Sequence, residues 1–299
     1  MHKLLNITII LILFTVVLKA QQKQDNDLAN LNLTKIALTN QRDSYITFPI
    51  DIGNIEPLVF EANISPSFII RERKDSRLMS VLTPQIIIRM NNETSFPIRT
   101  PSYIPQITFY YLVGDKRSKK HHVFFGRIAH HSNGQNGNYY DENGEVNLLS
   151  GNFATNFMEF GIINTSSSKK LNAVKIFKSS IEIHPKRWML NEIRGTYSGL
   201  RLHNTFSAFK LPKTNLASKK RPNISLKVET TWMLDAINNW DTFNLNRLNA
   251  GLTFYYHPKF LEDIGLFIQF YHGTDYYNIY FNHQIDTIRF GLMTEILRF

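Results

Sequence analysis

The sequence predicts an all-β chain, a transmembrane antiparallel β-barrel of about twelve strands. Three observations predict it. Segments rich in β-branched and aromatic residues recur from Tyr45 onward, separated by Gly, Pro, Asn and Ser. Most run eight to thirteen residues, longer than the roughly 5–6 usual in soluble proteins and close to the roughly 9–11 that cross a bilayer. Apolar and polar residues alternate within them, and no helical period emerges after the first twenty residues.

Met1-His2-Lys3 is a short basic start, Leu4 to Leu18 carries no charge, and Ala20 precedes a polar turn of composition. This pattern reads as a secretory signal peptide over residues 1–20. The run is short for a membrane span. Removing it takes away Lys3 and Lys19 and lowers the formal charge from +10 to +8. Residues 21–44 read as a polar leader with at most one short turn of structure. Residues 45–299 hold the strand candidates: 45–52, 57–64, 79–90, 103–113, 122–132, 153–163, 172–184, 191–203, 223–234, 246–257, 264–273 and 285–298.

Alternation is plain in 246–257, where Leu248, Ala250, Leu252, Phe254 and Tyr256 share one face and Arg247, Asn249, Gly251 and Thr253 the other. Such a dyad suits a barrel with an apolar outside and equally one face of a soluble sandwich. The terminal strand, DTIRFGLMTEILRF, closes on Phe299. That ending resembles the assembly signal of bacterial outer-membrane barrels and favours the membrane reading.

Composition excludes other classes. The absence of cysteine rules out disulfide scaffolds, thiolate metal sites and a cysteine nucleophile. A mean hydropathy of −0.23 excludes a helical bundle in the membrane but not a barrel, whose strands alternate. The basic clusters Lys116–Lys120 and Lys219–Arg221 sit beside turn residues; they read as solvated turns near anionic headgroups rather than as a nucleic-acid surface.

The stretch FFGRIAHHSNGQNG (124–137) carries the chemistry. Residues two apart on a strand share a face, so His130 and Ser132 are neighbours while His131 and Asn133 point the other way. A hydroxyl needs an adjacent base to become a nucleophile. Asn133-Gly134 ends the strand, which puts the pair at a barrel rim on the apolar face. Asn156 falls on the apolar face of the next strand, with Ala154, Met158 and Phe160.

These residues, with the strand start FATNFMEFGI, resemble the H-x-S-N-G motif and later strand asparagine of the outer-membrane phospholipase A family. QFYHGTDYYNIYFN (269–282) and, more weakly, SFPIRTPSYIPQITF (95–109) are similar to two further family segments. The resemblance covers residues 95–299. It implies a serine hydrolase of phospholipid acyl esters with Ser132 as nucleophile, His130 as base and Asn156 as the group orienting the imidazole. It implies calcium (Ca2+), held by the Gln135 carbonyl, Asn152 and Ser95 of a partner subunit, and a homodimer as the active form. Asn152 stands where the family has serine. Ser132 and Asn156 lie twenty-four positions apart, well beyond the family spacing. The insert holds Asp141, Glu142 and Glu145, which read as an acidic turn or as an ion-shielding segment. The rival expectations are a non-catalytic porin-like or structural barrel and an exported soluble sandwich.

Overall fold

The structure is a computed structural model and describes residues 31–48, 52–116, 118, 120–168, 170–211, 222–258, 260–261 and 263–294. The signal-peptide residues, Lys219–Arg221 and Phe299 lie outside the described residues. Thirteen strands form one antiparallel sheet: β1 (Tyr45–Thr47), β2 (Leu58–Ile64), β3 (Phe68–Ile70), β4 (Leu78–Asn91), β5 (Ser102–Val113), β6 (His122–Ser132), β7 (Ala154–Ser168), β8 (Ala173–Ile183), β9 (Leu200–Lys210), β10 (Ile224–Met233), β11 (Leu248–Tyr256), β12 (Ile264–Thr274) and β13 (Gln284–Thr294). β4 to β13 pair in sequence order, and β13–β1, β1–β2 and β2–β4 close the ring. The closed circuit has twelve strands, and β3 is a spur on the end of β4.

Closure follows from the solvent. In hydrocarbon an unpaired backbone N–H or C=O costs several kcal/mol, so a spanning sheet leaves no edge there. The exterior matches that solvent. Phe109, Phe124, Ile128, Phe160, Phe254, Leu266 and Phe290 all face outward and are exposed, each at an alternate position of its strand. The inward positions between them are polar: Gln106, Thr108, Arg127, Glu159, Thr253 and Arg289 are buried.

The buried charges are paired. Arg89 donates from Nε to Glu61 at 2.7 Å and, in a bidentate fork, to Asp275 at 2.7 and 2.8 Å. Tyr45 donates to the same Glu61 at 2.6 Å. Glu159 accepts from Arg127 at 2.8 Å, Lys178 at 3.2 Å and Ser180 at 2.6 Å. Fork geometry and shared acceptors of this kind are what make a buried charge tolerable.

Both ends of the barrel are stoppered. At the end where the chain enters, helix α1 (Leu33–Thr39) is capped by Asn32, whose side chain accepts from Lys35 N. It packs Leu33, Ile36 and Ala37 against Val81, Tyr110, Phe125 and Val174. At the other end Tyr139, Phe153, Tyr197, Tyr277 and Phe281 form a second apolar cluster. A polar cavity of about 260 Å³ lies between them.

Nine of the twelve expected strands stand near their expected bounds, and β7 runs past its expected end at 163 to Ser168. The strand expected at 191–203 begins instead at Leu200 and runs to Lys210. Asn191–Ile193 is a 3₁₀ turn and Gly195 takes a left-handed φ of 89°, so the polypeptide is still turning over the rim there. β1 is shorter than 45–52, although Ile52 again bridges to Ile288. The spur β3 was not foreseen. Residues 31–44 of the expected leader enter the barrel, because α1 supplies its apolar stopper.

Arg89 is the hinge of the charge network. Arg89→Ala leaves Asp275 without its fork and Glu61 with Arg289 as its one remaining cation among the described residues, and is expected to cost about 3–5 kcal/mol. Equilibrium unfolding of the lipid-reconstituted barrel measures this. A loss under about 1 kcal/mol would show that the network is not what holds the interior.

Candidate active site

β6 and β7 pair in register, with His130 opposite Asn156 and Ser132 opposite Ala154. All four side chains lie on the outward face. His130 Nδ1 and Asn156 Oδ1 are 2.9 Å apart. The Asn156 amide is oriented from its other side, because Nδ2 donates to the Trp188 carbonyl at 3.3 Å. Oδ1 is therefore the atom turned to the imidazole, and it selects the tautomer with hydrogen on Nδ1. Nε2 is then the acceptor. Ser132 stands two residues along the same face, half-buried. Among the described residues its hydroxyl forms no hydrogen bond with His130.

The frame around the trio is built from the inside. The inward residue His131 meets Ser102 Oγ through Nε2 at 3.2 Å and sets its ring against Phe153 at 4.9 Å. Asn278 donates to the same Ser102 Oγ at 2.9 Å and to the Thr100 carbonyl at 2.6 Å. On β7, Thr155 Oγ1 meets His184 Nδ1 at 3.0 Å, and His184 Nε2 meets Glu182 at 2.8 Å. Burial holds the His184 imidazole below its ordinary pKa, so at neutral pH it serves as an uncharged bridge.

The long connection 133–153 is stitched at its base. Asn133 Oδ1 accepts from Gln135 N at 3.2 Å and Phe153 N at 3.0 Å, while its Nδ2 donates to the Gly151 carbonyl at 2.8 Å. Gly137 and Gly151 form a parallel bridge. A side chain at Gly137 would meet the Ser150 carbonyl oxygen at 2.4 Å, so the two halves approach this closely only with glycine there. The stitch brings Gln135 to one side of the loop base and Asn152 to the other. Asn152 Oδ1 is buried and has no hydrogen-bond partner. Ser95 is exposed, on the β4–β5 connection at the same rim, with a left-handed φ of 67°.

The acidic insert is a turn. Asp141 accepts from Asn143 N and Glu145 N, each at 2.9 Å, and Gly144 takes φ 80°. Among the described residues no group of three His, Asp or Glu side chains could hold a metal.

Two residues here escaped the sequence reading. Trp188 sits in a 3₁₀ turn whose following chain docks on β7, through Leu190 N to Ala154 O at 3.0 Å. Tyr103 lies opposite Ser132 on β5, and its ring is the first atom group a side chain at Gly134 would meet, at 3.1 Å. Neither is marked by spacing or motif, since each reaches the site from another element. The β5–β6 ladder is also interrupted between Tyr103↔Ser132 and Gln106↔Ala129, where Pro105 has no N–H to give.

Solved structures with this architecture include the outer membrane phospholipase A from Escherichia coli. It matches with a TM-score of 0.56 at 13% sequence identity, over 88% of this chain and 98% of that one. The Salmonella typhi outer membrane phospholipase dimer with bound calcium matches with a TM-score of 0.55 at 13% identity, over 92% and 95%. No family model and no curated protein matches the sequence. At this identity the likeness is one of fold.

If the Asn133 stitch holds the loop base, Asn133→Ala costs about 1–3 kcal/mol and loosens residues 134–152. A glutamate-specific protease has Glu142 and Glu145 available in this loop. Its cleavage there is expected to accelerate in the variant, and an unchanged rate would dismiss the stitch.

Proposed function

We propose that the chain is an outer-membrane serine hydrolase that cleaves acyl esters of glycerophospholipids from the bilayer side. The observation that carries this is the 2.9 Å His130–Asn156 contact on the lipid face, with Ser132 next on that face. Ser132 Oγ attacks the ester carbonyl as His130 Nε2 takes its proton. The imidazolium then hands that proton to the departing glycerol oxygen. Water, deprotonated by the same nitrogen, releases the fatty acid from Ser132. Asn156 orients the ring throughout. A carboxylate in its place would carry a charge on a lipid-facing surface, which a neutral amide avoids. The exposed side chains of Ile128 and Phe160 continue the face toward the bilayer centre, where acyl chains lie.

Calcium fits the loop base on one observation, the buried and unpartnered Asn152 Oδ1. In this reading that oxygen and the Gln135 carbonyl hold the ion, and Ser95 of a second copy completes it. When bound, the ion supplies positive charge to stabilise the oxyanion of the tetrahedral intermediate. The calcium-bound dimer from Salmonella typhi supports both the metal and the pairing.

The non-catalytic barrel is favoured by one specific feature. On the same two strands, at the opposite rim, His122 Nδ1 and Asn164 Oδ1 are 2.6 Å apart, with Phe124 where a serine would stand. A cross-strand His–Asn pair thus occurs here with no serine two residues on from its histidine. A porin is less apt, because both barrel ends are stoppered.

Phospholipid hydrolysis in mixed micelles tests the proposal. Ser132→Ala and His130→Ala are each expected to lose about 10³-fold or more, with the folded barrel retained on unheated gels. Chelation of calcium is expected to abolish turnover, and a fluorophosphonate is expected to label the wild type but not Ser132→Ala. Absence of labelling in the wild type with calcium present would favour the non-catalytic barrel; full activity in Ser132→Ala would sink the mechanism.

A further inference from the structure

The two ends of the barrel differ in charge. The described residues of segments 71–77, 114–121, 170–172, 222–223 and 257–263 lie at the end opposite the site and hold seven Lys and Arg against four Asp and Glu. The described residues of segments 48–57, 92–101, 133–153, 184–199, 234–247 and 275–283, at the site end, hold five against nine. Among the described residues the two rims thus carry opposite net charge.

Part of that rim is a built patch. Arg77 Nη1 donates to the Gly114 carbonyl at 2.7 Å, and Lys116 Nζ donates to the Asp75 carbonyl. These bonds tie segment 71–77, with the exposed Arg73 and Lys74, to segment 114–121, with the exposed Lys120, and Lys170 stands exposed on the β7–β8 turn at the same rim. Glu72 offsets one charge, lying 3.5 Å from Arg73. Directly beside the patch stands the spur β3. Its three residues, Phe68, Ile69 and Ile70, are 55%, 38% and 51% exposed, and Leu78 at the start of β4 is 57% exposed. A strand apolar on both faces and open to its surroundings is costly in water. Beneath a collar of cations it matches the layered chemistry of a bilayer, with acyl chains below and phosphates above.

We infer that this rim is a binding surface for anionic glycerophospholipids, with β3 in the acyl layer and Arg73, Lys74, Lys120 and Lys170 on the headgroup phosphates. It would hold the barrel in the leaflet opposite the one that the site faces. The inference rests on the membrane placement of the barrel and not on hydrolysis at Ser132. The opposing charge of the other rim leaves only one orientation that puts cations against anionic lipid.

The test uses the full chain in nanodiscs of equimolar dialkyl-ether phosphatidylglycerol and phosphatidylcholine, which no esterase can cleave. Catalysis therefore has no bearing on the result. Native mass spectrometry counts the lipids the barrel retains. The wild type is expected to retain the anionic lipid by about fivefold over the zwitterionic one, with the preference falling as salt rises. Arg73→Gln/Lys74→Gln/Lys120→Gln/Lys170→Gln is expected to lose the preference, and Lys186→Gln/Arg187→Gln, at the other rim, to keep it. Equal retention by the wild type, a preference indifferent to salt, a preference kept by the quadruple variant, or one lost equally in the double variant would each overturn the inference. The salt series uses the wild type alone, so it decides the matter even if the quadruple variant does not fold.

Discussion

Backbone polar groups have no water to turn to inside a bilayer, and the chain meets that constraint by closing its sheet. The closure is uneven. β13 meets the short β1, β1 meets β2, and β2 pairs with the far half of β4, leaving β3 to cover the near half. Once the ring is closed, the face of every side chain is set, because a slip of one residue would exchange the two faces of a strand. The position of Ser132 on the lipid side is thus a consequence of register around the whole ring. The Asn133 stitch at the β6–β7 connection pins that register where it matters most.

An apolar exterior displaces polar residues to the interior, and the interior then has to neutralise them. Arg89, Glu61 and Asp275 do this from three places in the chain, β2, β4 and the start of the 275–283 connection. The core keeps a cavity of about 260 Å³ between its two apolar ends. His130 and Asn156 lie on the other face of the sheet, toward the outside.

The strands and the two faces were legible because alternation is written residue by residue. The link between His130 and Asn156 was expected from the family resemblance, and the parity of the two strands agreed with it. What escaped came from tertiary demands. LTKIALT (33–39) is too short to declare a helical period, and it becomes one turn of structure after another only where a barrel mouth needs apolar cover. Trp188 reaches Asn156 from a rim turn on the far side of β8. Most instructive is the 269–282 block. Its residues do not touch the trio; Asp275 locks Arg89, and Asn278 holds Ser102, which in turn meets His131. A segment that the sequence links to the site by resemblance is linked in space by supporting its back wall.

The same two strands supply a control for how much the trio means. His122–Asn164 and His130–Asn156 are cross-strand pairs eight residues apart, on one face, at the two interfaces. Both place an imidazole and an amide where apolar side chains give way to polar surroundings, and both satisfy one ring nitrogen. The hydrogen bond by itself is therefore a solution to an interfacial problem and says little about chemistry. Three features separate the second pair from the first. Its histidine is followed two residues on along the same strand by Ser132, where His122 is followed by Phe124 and the nearby hydroxyl, Ser166, follows the asparagine instead. Its amide is turned by the Trp188 carbonyl so that the oxygen faces the ring. And it adjoins a loop base with a buried oxygen, Asn152 Oδ1, that no group among the described residues satisfies. Each could be had for structural reasons alone. Their coincidence at one of the two pairs, and not at the other, is what supports the proposal of a site there.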